Sequence, residues 1–254
     1  MGNRWKLILS PGRNGFFHMA LDEMLIGIAE ETGETFLRFY TWEPPCVSVG
    51  MFQDTAGLDI PKILSLGYQV VRRPTGGRAV LHKDEITYSI IFPPEHPITT
   101  LSTIESYRLI SKALINGLIS IGVPAQLSRG RSGYERNVSC FASTSRHEIT
   151  LFGRKLVGSA QRRTHKTLLQ HGSILTDYDK RAWKSIRAGK RYPSTIKEAL
   201  GYIPPFEKTA RALAKGFKEL FDAELEPVSD TNFLSQKLKK LIEEKRKLFS
   251  EIQQ

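Results

Sequence analysis

The stretch Arg72-Arg73-Pro74-Thr75-Gly76-Gly77-Arg78-Ala79-Val80-Leu81-His82 constrains this 254-residue chain more than any other. Two cations run into a Pro/Gly turn, and the chain emerges into an apolar segment that ends in a histidine. Glycines at 76 and 77 let backbone N–H groups approach a ligand with no Cβ in the way, so the segment fits a loop gripping an elongated, partly anionic molecule. Taken alone, it equally fits a β-hairpin with a Gly-Gly turn. Both readings set strands on either side, at Tyr68 to Arg72 and Ala79 to Leu81.

The rest of the chain alternates between the two periodicities. Trp5 to Ser10 reads as a strand, followed by a helix from about Asn14 to Thr32 that carries Phe17, Leu21, Met24, Leu25 and Ile28 on one face. Asn14 is its expected N-cap and Gly33 its stop. Strands follow at Thr35 to Tyr40 and Cys46 to Val49, a short helix at Ile60 to Leu66, and a strand at Thr87 to Phe92. Thr103 to Ile121 is the clearest helix, ended by Gly122 and Pro124. Ser128 to Gly133 reads as a polar surface loop. Strands resume at Glu148 to Phe152, Lys155 to Gln161 and Leu168 to Leu175, and helices follow at Lys180 to Ile186, Thr195 to Leu200 and Pro205 to Asp222. Leu234, Leu238, Leu241, Leu248, Phe249 and Ile252 then predict an amphipathic terminal helix over 231–254. The expected class is α/β (α+β), a mixed sheet flanked by helices. Residues 1–225 are expected as the main domain, with 226–254 packed on it.

With 40% hydrophobic and 25% charged residues, the composition is that of a soluble globule. No apolar run approaches the ~20 residues of a membrane span, and the opening residues lack a signal peptide's apolar core, so a cytoplasmic location is expected. Cys46 and Cys140 are the two cysteines; they are far apart and have no Cys/His cluster around them, which excludes a disulfide framework and a structural zinc site. Cys46 lies in an apolar run and reads as packing. The net charge of +11 calls for an acidic partner. Nucleic acid is one candidate, but no zinc finger, recognition helix or aromatic-interleaved strand organises the basic residues; acidic proteins are the other.

Two further segments add to the first: Gly153-Arg154-Lys155-Leu156-Val157-Gly158-Ser159-Ala160-Gln161 and Leu169-Gln170-His171-Gly172-Ser173-Ile174-Leu175. With Met19-Ala20-Leu21-Asp22-Glu23 and Tyr40-Thr41-Trp42-Glu43-Pro44, these five motifs resemble, in order and spacing over roughly residues 5–225, the lipoate/octanoate attachment family of the biotin/lipoate protein ligase fold. Ser139-Cys140-Phe141, just upstream of the lysine strand, is similar to the nucleophile context of the cysteine-type octanoyltransferases. Arg78 points the same way, where ligases more usually have a third glycine.

The resemblance implies a two-step acyl transfer. Cys140 would take octanoyl from octanoyl-acyl carrier protein as a thioester, and Lys155 would lower the thiol's pKa and stabilise the oxyanion. The ε-amine of a lysine on an acidic lipoyl-domain acceptor, such as glycine cleavage H protein or a 2-oxoacid dehydrogenase E2, would then form the amide. Arg72, Arg73, Gly76, Gly77 and Ala79 would wall the acyl tunnel; Gly158, Ser159, Ala160, His171 and Gly172 would complete it, the small residues leaving room for the chain. His82 either closes the site or is a satisfied histidine at a strand end. Cys140 as buried packing and Lys155 as a solvated turn lysine are the plain alternatives. No metal or cofactor is expected, ATP and Mg entering only if the chain is an ATP-dependent lipoate–protein ligase. An amidotransferase moving octanoyl between acceptors and a non-catalytic nucleic-acid-binding module are the remaining rivals.

Overall fold

The computed structural model describes residues 3–128, 148–164, 167–179 and 192–252. β1 (Arg4–Arg13) leads into α1 (Gly15–Thr32), which starts and stops where the sequence places its caps. The Asn14 side chain accepts from the Phe17 N–H, and Gly33 closes the helix at φ 74°, a left-handed conformation that favours glycine. β2 (Thr35–Trp42), β3 (Cys46–Val49), α2 (Ile60–Ser65), β4 (Gln69–Arg72), β5 (Val80–His82) and β6 (Glu85–Phe92) follow. α3 (Thr103–Ser120) begins in a capping box: Ser102 Oγ accepts from the Glu105 N–H, and the Glu105 carboxylate accepts from the Ser102 N–H. The chain then forms β7 (Gln126–Leu127), β8 (Ile149–Leu151), β9 (Arg154–Arg163), β10 (Leu168–Leu175), α4 (Ile196–Leu200), α5 (Phe206–Phe221), β11 (Glu224–Val228) and α6 (Gln236–Ile252).

Eight strands make a mixed sheet in the order β11-β1-β2-β6-β10-β9-β8-β7. β1 runs parallel to both β11 and β2, and the other pairs are antiparallel. Helices cover both faces, so the central strands β6 and β10 are buried along their whole length. On one face Trp5, Phe39, Tyr88 and Ile90 pack with Leu114 of α3 and Phe217 of α5. On the other, Ile8, Phe36 and Ile91 pack with Leu21 and Leu25 of α1 and Leu238 of α6. α3 and α5 touch backbone to backbone: a Cβ on Gly216 would lie 2.2 Å from the Ala113 carbonyl oxygen.

The hairpin reading of residues 72–82 is overturned. β4 and β5 do not pair with each other; both pair with β3, β4 in parallel and β5 antiparallel, as a three-stranded sheet of order β4-β3-β5. The Gly-Gly segment is therefore a crossing loop over the end of β3. β11 is absent from the sequence reading, because Glu224-Leu225-Glu226-Pro227-Val228 carries a proline and two acids. Its parallel pairing to β1, Arg4 against Glu224 through Ile8 against Val228, runs through position 225, where the main domain was expected to end. Residues 129–133 of the expected surface loop and the expected helix at 180–186 lie outside the described residues.

Candidate active site

The small sheet packs against the large one, His82 of β5 stacking on Trp42 of β2 and Leu175 of β10 joining the core of the small sheet, and a narrow cavity lies at the seam. Met19 of α1, Tyr40 and Trp42 of β2, and Val80 of β5 supply its apolar wall. Ser48 of β3, Arg73, His82 of β5, Thr87 of β6, Gly158, Ser159 and Ala160 of β9, and His171, Gly172 and Ser173 of β10 supply the rest. Three motifs separated by as many as 90 residues thus meet on one wall, because β9, β10 and β6 are neighbours in the sheet and β5 is laid over them by β3.

Arg73 organises the loop. Its Nη1 donates to the Ser48 carbonyl at 2.9 Å and to Ser48 Oγ at 3.1 Å, and its Nη2 donates to the carbonyls of Gly76 and Arg78, both at 2.8 Å. Gly77, at φ 94°, presses its carbonyl against Gly50, where a Cβ would stand 2.0 Å from that oxygen. Gly50 is thus as necessary to the loop as Gly77. The neighbouring arginine, Arg72, is not among the described residues that line this cavity; its Nη1 donates to the carbonyls of Gly50, Met51 and Gln53 at 2.7, 3.1 and 3.1 Å. Gly76, Gly77 and Ala79 are also absent from the lining. The first two shape the loop, and Ala79 is buried with Val47, Ile63 and Val70 beneath it.

Gly172 is needed for a different reason than room for a ligand. A Cβ there would stand 2.6 Å from both the Gly158 carbonyl oxygen and Ser159 Oγ, so glycine is what lets β9 lie close to β10.

His82 combines its two readings: it is on the cavity wall and it is satisfied. Its Nδ1 lies 2.8 Å from Glu85 Oε1 and its Nε2 2.7 Å from Ser48 Oγ, and its ring stacks on Trp42 with centroids 4.0 Å apart. His171 has a parallel arrangement, with Nε2 2.6 Å from Thr75 Oγ1 and Nδ1 3.3 Å from Asp22 Oδ2. Burial lowers the pKa of His171 against the opposing pull of Asp22. Asp22 is fully buried and ion-paired with Arg38, which also reaches His18 Nδ1. Burial alone would raise the Asp22 pKa, but Arg38 and His171 outweigh it and hold the group below the usual carboxylate range. Burial, then Arg38, pushes His18 well below the ordinary histidine value.

Lys155 is not the solvated turn lysine of the plain alternative. It is 3% exposed, and its Nζ lies 2.6 Å from Glu148 Oε1, itself in a residue 7% exposed. It sits on β9 three residues before Gly158 and is not on the cavity lining. Cys140 lies outside the described residues. Cys46 is packing, as its apolar run indicates: it is fully buried beneath Gly15, and desolvation holds its thiol well above the ordinary pKa. Among the described residues there is no His/Cys/Asp/Glu group with metal-holding geometry.

Sequence reasoning passed over Ser48, Glu85, Thr87 and Ser173. Glu85 carried one legible signal, its spacing of three from His82; Ser48 carried none, being one hydroxyl in a buried strand.

Residues 14–218 match the lipoyl protein ligase A/B catalytic domain. The chain belongs to this family. Among curated relatives it is 38% identical over 245 residues to octanoyltransferase LipM of Kyrpidia tusciae, covering 88% of this chain and 89% of that protein. It is 38% identical over 242 residues to octanoyltransferase LipM of Carboxydothermus hydrogenoformans (92% and 90%), and 36% identical over 259 residues to that of Clostridioides difficile (95% and 96%). The fold is that of lipoate-protein ligase A solved with ATP, at TM-score 0.75 and 21% identity, covering 98% of this chain and 95% of that one. An archaeal bi-partite lipoate protein ligase from Thermoplasma acidophilum, described with its E2 lipoyl domain, aligns at TM-score 0.69 and 20% identity (98% and 93%).

Proposed function

We propose that this protein is an octanoyltransferase of lipoate biosynthesis, an acyltransferase that carries octanoyl from the thioester of acyl carrier protein to a lysine of a lipoyl-domain acceptor. The observation that carries the reading is the meeting of Arg73, His82, Gly158–Ala160 and His171–Gly172 on one cavity, in a chain whose curated relatives over nearly their whole length are octanoyltransferases. The cavity has about 30 Å³ of room, the scale of a water or two. An acyl chain would enter by displacing Met19, whose unbranched thioether side chain re-packs readily.

Cys140 is the nucleophile in this reading. Its thiolate attacks the thioester carbonyl, the carrier thiol leaves, and the acceptor amine displaces the enzyme sulfur. One thioester replaces another, so neither step needs ATP or a metal. Lys155 supplies the positive charge that favours thiolate and oxyanion. The catalytic unit closes with β11 at Val228, and the terminal helix packs on it, through Leu238 and Leu241 against α1. No helix among the described residues is long and apolar enough to cross a membrane, and we place the reaction in the cytoplasm. The net charge of +11 suits acidic carrier and acceptor domains through long-range steering.

The test is intact-mass measurement after mixing with octanoyl-acyl carrier protein without ATP. An octanoyl adduct labile to hydroxylamine is expected, absent from Cys140→Ala and retained in Cys46→Ala. Persistence of the adduct in Cys140→Ala overturns the nucleophile, and a strict ATP requirement for transfer turns the reading to a ligase.

A further inference from the structure

Glu85 is a buried carboxylate with no lysine or arginine beside it among the described residues. Its side chain is 1% exposed. Oε1 accepts from the Thr87 hydroxyl at 2.5 Å and meets His82 Nδ1 at 2.8 Å, while Oε2 is buried with no hydrogen-bond partner among the described residues. A carboxylate held in the interior without a matching charge is costly. The group that meets it is the His82 imidazole, through Nδ1 at 2.8 Å.

The imidazole is held from three sides. Trp42 stacks on its face at 16° between planes, and the Trp42 Nε1–H donates to Thr87 Oγ1 at 2.7 Å, whose own proton goes to Glu85. With Nδ1–H donated to the carboxylate, Nε2 is left as the acceptor and lies 2.7 Å from Ser48 Oγ. Ser48 Oγ accepts from Arg73 Nη1 at 3.1 Å, which leaves its own proton to point at Nε2. Both Ser48 and His82 face the cavity. His171, the other imidazole on the wall, lacks this equipment, because its carboxylate Asp22 is already neutralised by Arg38.

We propose that Glu85, His82 and Ser48 form a proton relay that deprotonates the acceptor amine, with His82 as base, Ser48 as its cavity-facing hydroxyl and Glu85 as the positioning residue. The relay rests on the reading above that an amine attacks an acyl thioester at this cavity. A lysine ammonium has a pKa of about 10.4, so near pH 7 almost none of it can attack. One proton passes from the ammonium to Ser48 Oγ as the hydroxyl proton passes to His82 Nε2. The neutral nitrogen then bonds to the acyl carbon and the C–S bond breaks. The leaving sulfur takes the proton from His82, and the second proton on nitrogen goes to water, leaving amide, thiol and one released proton.

Other groups also surround His82: Ser173 Oγ of β10 lies 3.2 Å from the same Nδ1 that meets Glu85, and burial, with a smaller contribution from Glu85, raises the pKa of the neighbouring Asp84. Cys46 lies opposite it in the β3–β5 ladder, and burial, then Glu85, holds that thiol protonated. Burial likewise raises the pKa of Tyr40 of β2 and lowers those of His18 of α1 and His171 of β10. Arg73 donates to Ser48 Oγ.

Glu85→Gln tests the relay, because it keeps the shape and removes the charge. Transfer should be followed across pH with two nucleophiles, a lipoyl-domain acceptor and hydroxylamine, which is already neutral at pH 7. Loss of a positioned base costs about 10²-fold or more. Transfer to lysine should fall by about that factor with its pH optimum moved upward, while transfer to hydroxylamine should fall roughly tenfold less. Ser48→Ala should shift the same ratio in the same direction. Hydroxylamine turnover doubles as the control for correct folding. Equal losses for the two nucleophiles, an unmoved pH profile, or no loss with lysine would overturn the relay. Should the wild-type protein form no acyl-enzyme, the two-step scheme falls while the nucleophile ratio, read in overall transfer, still decides the relay.

Discussion

Replacing Lys155 with methionine removes a buried ammonium and takes a charge partner from the buried carboxylate of Glu148. Lys155 and Glu148 have side chains 2% and 10% exposed with 2.6 Å between Nζ and Oε1, so little solvent remains to screen either charge. Breaking such a pair from one side costs about 3–5 kcal/mol, whereas replacing both partners by apolar groups of similar size is near neutral. For a chain of this size a loss of that order moves the melting temperature by roughly 6–20 °C and removes a large part of a typical total stability of about 5–15 kcal/mol. Denaturant unfolding of Lys155→Met, Glu148→Leu and the double variant should therefore give two badly destabilised singles and a double within about 1 kcal/mol of wild type. Acylation assayed on the same proteins separates structure from chemistry. If Lys155 also stabilises the oxyanion, the stable double variant stays slow by about 10²-fold. A single variant that costs less than about 1 kcal/mol, or a double as unstable as the singles, would refute the buried-pair argument; recovery of full acylation in the double would refute the chemical role.

Two further predictions concern packing and pH. Gly216→Ala places a methyl 2.2 Å from the Ala113 carbonyl oxygen and 2.7 Å from the Gly117 nitrogen, both backbone atoms, so α3 and α5 must separate, at about 1–3 kcal/mol. Gly27→Ala in α1 meets nothing nearer than Lys237 Nζ at 3.9 Å and should stabilise by about 0.5–1 kcal/mol through helix propensity; thermal melts that rank the two in the opposite order would sink the packing account. His96, ringed by Trp5, Phe92 and Phe221, is pushed down to about 4 by burial. It stays neutral in the fold but protonates in the unfolded chain from about pH 6.5 downward, so it erodes stability as pH falls from about 6.5 to 4 and adds no further slope below that window. His96→Phe should flatten this part of the stability–pH curve by roughly 1 kcal/mol, allowing for the partial exposure of the ring.

The mixed sheet, its helices and the caps at Asn14 and Gly33 were legible because each is written in neighbouring residues: a side chain three positions before its N–H, a glycine at the turn, a period of two or 3.6. β11 was not, since its place in the sheet comes from the partner strand β1 and not from its own composition. At the site, Arg73, His82, Gly158 to Ala160, His171 and Gly172 were readable as motifs. Which of two adjacent arginines meets the cavity was not, because that depends on which face of the small sheet is turned toward the large one. Glu85 and Ser48 escaped for a related reason, as a buried acid and a strand serine become meaningful only once His82 stands between them.

The Arg72–Arg73 dipeptide clamps two loops from opposite sides of one extended segment, Arg72 the turn after β3 through the carbonyls of Gly50, Met51 and Gln53, Arg73 the glycine loop through those of Gly76 and Arg78 and its tie to Ser48. Successive residues of an extended chain face opposite ways, so the division of labour is set by parity alone. Loss or gain of a single residue within Gln69–Arg72 would exchange the two guanidiniums between faces and undo both clamps together. Paired insertions and deletions that restore the count would not. Length variation in this segment is thus excluded altogether, since a two-residue change restores the faces but carries both guanidiniums about 6–7 Å along the strand, a constraint on chain length that no single-residue substitution reveals.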